Sequence, residues 1–131
     1  AGLALDVYTA GFAGYAFLKS EAGQYVNTHC WEEGFIIRYP QMKEGETKIP
    51  YEPWHIRLVG VPHAEYIYRN NLTLESYLAG LEAGKFYQIG GYLVSRQEGE
   101  ELLGPEGLTE IWVSQDNCGG YVLTGKWMEN E

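Results

Sequence analysis

Cations, cysteines and long apolar runs are scarce in this chain, and each shortage excludes something. Nine Lys and Arg stand against 18 Asp and Glu, a formal net charge of −9 over 131 residues. With no basic stripe to offset that charge, nucleic acid and an anionic membrane surface are excluded as partners, because both would repel it. Two cysteines, Cys30 and Cys118, form neither a Cys-x-x-Cys redox pair nor a metal spacing, and both are read as free, buried thiols. No apolar stretch is long enough to cross a bilayer, and no signal-peptide pattern opens the chain. What is abundant is apolar and aromatic: 45% hydrophobic residues, with 11 Tyr and four Trp, exclude a disordered chain and supply the core of one modest domain.

Periodicity divides the chain in two. Residues 3–8 alternate as a strand with Gly2, Ala4 and Asp6 on one face. Residues 20–33 predict a helix with Ser20 as N-cap and Gly34 as its stop. Short strands are expected at 35–39 and 54–59, joined by a hairpin-like connection over 41–50. Helices are expected at 61–70 and 73–81, the second capped by Thr73, which also accounts for the threonine of the sequon Asn71-Leu72-Thr73. From Phe86 onward the pattern changes to short alternating runs at 87–89, 92–95, 111–114 and 121–124 separated by glycine-bearing turns, and Ser114 to Tyr121 reads as one such turn. The expectation is therefore an α+β core over 1–83, with helices packed on a small mixed or antiparallel sheet, followed by an antiparallel β extension over 84–131.

The chemistry-bearing stretch is Glu52-Pro53-Trp54-His55-Ile56-Arg57, which sets a carboxylate three residues before an imidazole. That spacing suits metal-assisted hydrolysis, with the imidazole on the metal and the carboxylate close enough to accept a water proton. In a regular strand Glu52 would point away from His55, but Pro53 interrupts the ladder and permits a bend that brings it round. Asp6 offers a second ligand from a strand of small residues. On their own, Glu52 reads as a surface carboxylate, His55 as a hydrogen-bonded core histidine and Asp6 as a loop cap. His63 is read as structural and His29 as surface.

Taken together, Gly2-x-Ala4-x-Asp6, Gly34-Phe35-Ile36-Ile37-Arg38-Tyr39-Pro40, the stretch from Glu52 to Arg57, and Leu72-Thr73-Leu74-Glu75-Ser76-Tyr77-Leu78 resemble, in order and spacing, the VanY-type zinc D-alanyl-D-alanine carboxypeptidases. The resemblance covers the first part of the chain. It implies Asp6 and His55 as zinc ligands and Glu52 as the catalytic base. A substrate carboxylate needs a cation, and Arg57 is the candidate. The family's first ligand, a histidine seven positions before Asp6, has no counterpart and would precede Ala1. The chain is accordingly expected to be a truncated piece of a longer enzyme, with zinc weakly held and little hydrolysis on its own. The implied substrate is a peptidoglycan stem peptide ending in D-Ala-D-Ala, and a few of the aromatics could face wall peptide or sugar. The implied location is extracytoplasmic, secreted or attached to a bacterial cell envelope. Other readings share these residues: a non-catalytic peptidoglycan-binding or structural module, a D,D-dipeptidase and an L,D-carboxypeptidase.

Overall fold

The computed structural model describes residues 3–99 and 101–127. Gly2, expected on the face of Asp6, lies outside the described residues. The chain is α+β and divides into two compact units, Ala1–Tyr77 and Leu78–Glu131.

The first unit is built on a three-stranded antiparallel sheet of β1 (Ala4–Asp6), β2 (Phe35–Ile37) and β3 (His55–Leu58), in the order β1-β3-β2. Ile36 and Ile56 are buried, together with Phe17, Ala64, Ile67, Leu74 and Tyr77 from the surrounding helices. A 3-10 helix, Gly14–Lys19, leads into α1 (Glu21–His29). Ser20 caps α1 as its sequence position implies: its Oγ accepts from the Gly23 N–H at 2.9 Å and donates to the Phe17 carbonyl at 2.7 Å.

The helix expected over 20–33 does not run through. After His29 the chain tightens into a second 3-10 helix, Cys30–Glu33. The side chains of Thr28 and Trp31 compete for the carbonyls of this last turn, the indole N–H of Trp31 reaching Thr28 O at 2.8 Å and the Thr28 hydroxyl reaching Gln24 O at 2.8 Å. Gly34 then stops it at φ 87, in the left-handed region that glycine enters without penalty. The connection over 41–50 also differs from expectation, since it contains a short helix, α2 (Glu44–Thr47). Lys43 O accepts from the N–H groups of Glu46 and Thr47, and Lys43 pairs with Glu46 at 3.3 Å, so local bonds favour a turn of helix over an open hairpin.

Two further helices follow, α3 (Val61–Arg69) and α4 (Leu74–Ala79). Thr73 caps α4, its Oγ1 accepting from the Ser76 N–H at 2.9 Å while the Ser76 hydroxyl accepts from the Thr73 N–H at 3.0 Å. His63 is structural: it is 4% exposed, and its Nδ1 lies 2.5 Å from the Tyr77 hydroxyl. Burial lowers its pKa from 6.5 to about 4. Between those values the unfolded chain binds a proton that the folded one refuses. The stabilisation from neutral, buried His63 is therefore complete above pH 6.5 and is lost as pH falls towards 4. We expect this unit to lose about 3 kcal/mol across that window. Urea denaturation at a series of pH values checks it, with His63→Gln giving the flatter profile.

The second unit is a four-stranded antiparallel sheet in the order β4-β5-β7-β6, from β4 (Phe86–Ile89), β5 (Tyr92–Gln97), β6 (Leu108–Gln115) and β7 (Tyr121–Trp127). The turn between β6 and β7 is organised by Asp116, 1% exposed. Its carboxylate accepts from the N–H groups of Cys118 and Gly120 at 2.7 and 2.8 Å and from Arg96 Nε at 2.9 Å. Burial opposes this charge, yet the three donors outweigh it and hold the carboxyl below its ordinary range. Both cysteines are free, but only one is sheltered. Cys30 is half-buried, and burial raises its thiol to about 11. Cys118 is exposed, against expectation, because the Asp116 turn consumes its N–H and leaves its side chain outward. Several tyrosines expected to pack are exposed as well, among them Tyr8, Tyr15 and Tyr25.

Candidate active site

The site begins with strand register. Asp6 on β1 and His55 on β3 are direct cross-strand partners, so their side chains leave the sheet on one face. His55 Nδ1 lies 3.9 Å from Asp6 Oδ1 and 3.2 Å from Glu52 Oε1. The carboxylate three residues back reaches the imidazole because residues 52–55 form a tight turn in which the His55 N–H donates to Glu52 O at 3.1 Å. Pro53, buried at the first corner, has no N–H to lose. The turn is tied down from outside by the Glu52 N–H donating to Tyr39 O at 3.0 Å and the Val7 N–H to Trp54 O at 2.8 Å. Edge-on packing of Tyr39 on His55, with ring centroids 5.1 Å apart, fixes the imidazole plane.

Three of the four candidates thus converge: Asp6, Glu52 and His55. His55 Nδ1 carries either a proton directed at a carboxylate or a metal ion, never both, so two carboxylates facing one imidazole nitrogen form a cation-attracting arrangement. Arg57 lies two residues further along β3 and pairs in register with Ala4 and Ile36. Its Nε is buried and makes no hydrogen bond among the described residues, so it engages neither Glu52 nor Asp6. Burial lowers its pKa, nearby Arg38 adds to the effect, and Tyr39 opposes it. Sequence reasoning missed Arg38, which makes a two-pronged ion pair with Glu75 at 2.8 and 3.1 Å and stands over the Tyr39 ring at 4.9 Å. The Arg-Tyr-Pro run marked this segment without indicating a partner 37 residues away. His29 and His63 take no part: His29 is at the exposed end of α1 against Tyr25 and Glu32, and His63 is enclosed by Tyr77.

Zinc is the metal the resemblance implies, and the donors suit it in kind, one imidazole nitrogen and one carboxylate oxygen on adjacent strands. Asp6 is 72% exposed at its side chain and therefore open to a ligand. These two would fill part of the set of three protein ligands that a catalytic zinc takes. Among the described residues no group of three or more His, Cys, Asp or Glu is placed to hold a metal ion.

A carboxylate and an imidazole in cross-strand register, with a second carboxylate on the imidazole's own turn, are residue types that metal-assisted hydrolysis uses. The comparisons with known proteins point to one family. Residues 1–61 match the model of the VanY family, D-alanyl-D-alanine carboxypeptidase. Over 88 residues the chain is 40% identical to a D-alanyl-D-alanine carboxypeptidase of Enterococcus faecium, an alignment covering 67% of this chain and 28% of that protein. Among solved structures, the vancomycin-resistance D,D-pentapeptidase VanY in complex with Zn(II) is 38% identical at a TM-score of 0.51, covering 59% of this chain and 42% of that one. The D,D-dipeptidase VanXYg, solved with a D-Ala-D-Ala phosphinate analogue, is 26% identical at a TM-score of 0.73, covering 95% of this chain and 56% of that one. The resemblance read from the motifs holds. The chain spans under a third of the length of the curated relative.

Proposed function

We propose that this chain carries part of the active centre of a zinc-dependent D-alanyl-D-alanine carboxypeptidase that removes the terminal D-alanine from peptidoglycan stem peptides. The observation that carries the reading is the meeting of Asp6, His55 and Glu52 around one imidazole nitrogen. Asp6 and His55 hold the metal, with the third ligand, a second imidazole, donated from outside the described residues. Zinc, when bound, supplies Lewis-acid polarisation and a more acidic water. Glu52 accepts the proton of the attacking water and returns it to the leaving amine. The Arg57 guanidinium, whose Nε makes no hydrogen bond among the described residues, receives the substrate carboxylate. Such an enzyme works outside the cytoplasmic membrane, where its substrate is. A D,D-dipeptidase specificity is the second reading, favoured by the 95% coverage in the VanXYg alignment.

The test is D-alanine release by the full-length protein with zinc, offering a stem pentapeptide and free D-Ala-D-Ala in parallel. Release from the pentapeptide supports the first reading and cleavage of the dipeptide alone the second; neither activity at full zinc loading sinks both. Asp6→Ala and His55→Ala should each weaken zinc binding by more than the about 100-fold that loss of an outer hydrogen-bonding partner costs a metal site. Competition with a chromophoric chelator measures this, and unchanged affinity in both variants rejects the ligand assignment.

A further inference from the structure

Asn27 lies within α1, where asparagine is a poor choice because its side chain competes for backbone hydrogen bonds. Its amide is nevertheless fully used. Nδ2 donates to Gly23 O at 2.9 Å and to Pro53 O at 3.1 Å, and Oδ1 accepts from the Tyr51 hydroxyl at 2.8 Å. Two carbonyl oxygens on one side admit only an NH2 group there, which fixes the orientation of the amide and leaves Oδ1 for Tyr51. Neither aspartate, with no donor, nor leucine, with no polar atom, satisfies all three partners.

The two outer partners are the residues on either side of Glu52. One side chain, from a helix more than 20 residues away in sequence, therefore grips the chain immediately before and after the candidate base. Between those two grips, Glu52 makes its backbone bonds to Tyr39 and His55 and brings its carboxylate to His55 Nδ1. With the grip released, the turn keeps its sequence but loses its anchor to α1. The carboxylate is then set by the 52–55 turn with only the backbone bonds to Tyr39 and Val7 to hold it, a looser arrangement for a proton transfer that needs heavy-atom contact of about 3 Å.

We propose that Asn27 is a positioning residue that fixes the Glu52 turn against α1 and so aims the carboxylate. The kinetic consequence rests on the carboxypeptidase reading; the structural consequence does not. In the full-length, zinc-loaded protein, Asn27→Ala should lower kcat per bound zinc by about 10- to 100-fold with KM changed by no more than about twofold. Tyr51→Phe, which removes one bond and keeps the ring, should act in the same direction with a smaller effect. A merely structural role would reduce the folded fraction and leave turnover per zinc unaltered.

Amide hydrogen exchange supplies a second readout that needs no activity. Asn27→Ala should deprotect the amides of Glu52 and His55 while leaving those of Leu58 in the sheet and Ala64 in α3 as in the parent. Turnover per zinc within about twofold of the parent, or deprotection spread equally to Leu58 and Ala64, overturns the proposal. If the parent protein releases no D-alanine, the carboxypeptidase reading fails, and the exchange experiment alone decides: unchanged protection at Glu52 and His55 in both variants rejects the positioning role.

Discussion

Glu52→Gln in the full-length, zinc-loaded protein should lower D-alanine release by about 10²- to 10⁴-fold, the contribution typical of a positioned general base, with bound zinc unchanged. Glutamine keeps the size of glutamate and retains an oxygen able to face His55 Nδ1, so the turn has no steric reason to move. What it loses is the capacity to take a proton. The loss should appear in kcat and in kcat/KM alike, because the interaction matters while the proton is in flight. Zinc analysis on the same preparation separates the two roles a carboxylate 3.2 Å from His55 could play. Parallel loss of metal and activity would make Glu52 a ligand and remove the base from the scheme; undiminished release would remove Glu52 from the chemistry altogether.

The largest effect on folding is expected at a residue with no side chain. A Cβ built on Gly23 would lie 1.7 Å from the carbonyl oxygen of Phe17 and 3.0 Å from Ser20 Oγ. The first obstacle is backbone and cannot rotate aside. It belongs to the 3-10 helix that carries Phe17, 2% exposed, into the core. Gly23→Ala must therefore push α1 away from that helix, breaking the Ser20 cap and opening the packing around Phe17. Alanine normally favours a helix interior over glycine by about 1 kcal/mol, so the sign is the reverse of the propensity argument. We expect a loss of about 3 kcal/mol or more, at the upper end of overpacking penalties. For a unit of this size that is a fall in Tm on the order of 10–20 °C. Calorimetry checks it, and an unchanged or raised Tm would show that the close approach of the two helices is not a fixed part of the fold. Asn27 is on the same helix, so the displacement should also disturb the Glu52 turn.

How much of this could be read from the sequence follows the range of each interaction. Ser20, Gly34 and Thr73 were legible because a cap acts on residues three or four away. The bend that returns Glu52 to His55 was legible because Pro53 lies between them. Asp6 needed more, since its partner is on another strand and only the order and spacing of the motifs brought the two together. The tightening at Cys30 and the helical turn at Glu44 depend on side chains competing for particular carbonyls, a contest that hydrophobic periodicity does not register. Asn27 was invisible for a different reason. It reads as an ordinary polar residue on a helix, and its meaning lies in partners 24 and 26 residues away. Arg57 shares the His55 strand, as alternation over 54–59 implies, and its Nε makes no hydrogen bond among the described residues.

The cross-strand pairing of Asp6 with His55 also governs which changes in chain length the site tolerates. Everything between Val7 and Glu52 is, for the two donors, a single long closure whose cost grows only with the logarithm of its length. A residue gained or lost in the exposed loop near Gly11 or beside α2 leaves Asp6 opposite His55. The same one-residue change inside β1 is of another order, because it sends the carboxylate to the opposite face of the sheet while the strand can remain paired. Deletion scanning should then find two kinds of damage a few residues apart: tolerated shortening in the loop, and within the strand a folded protein that has lost one of its donors.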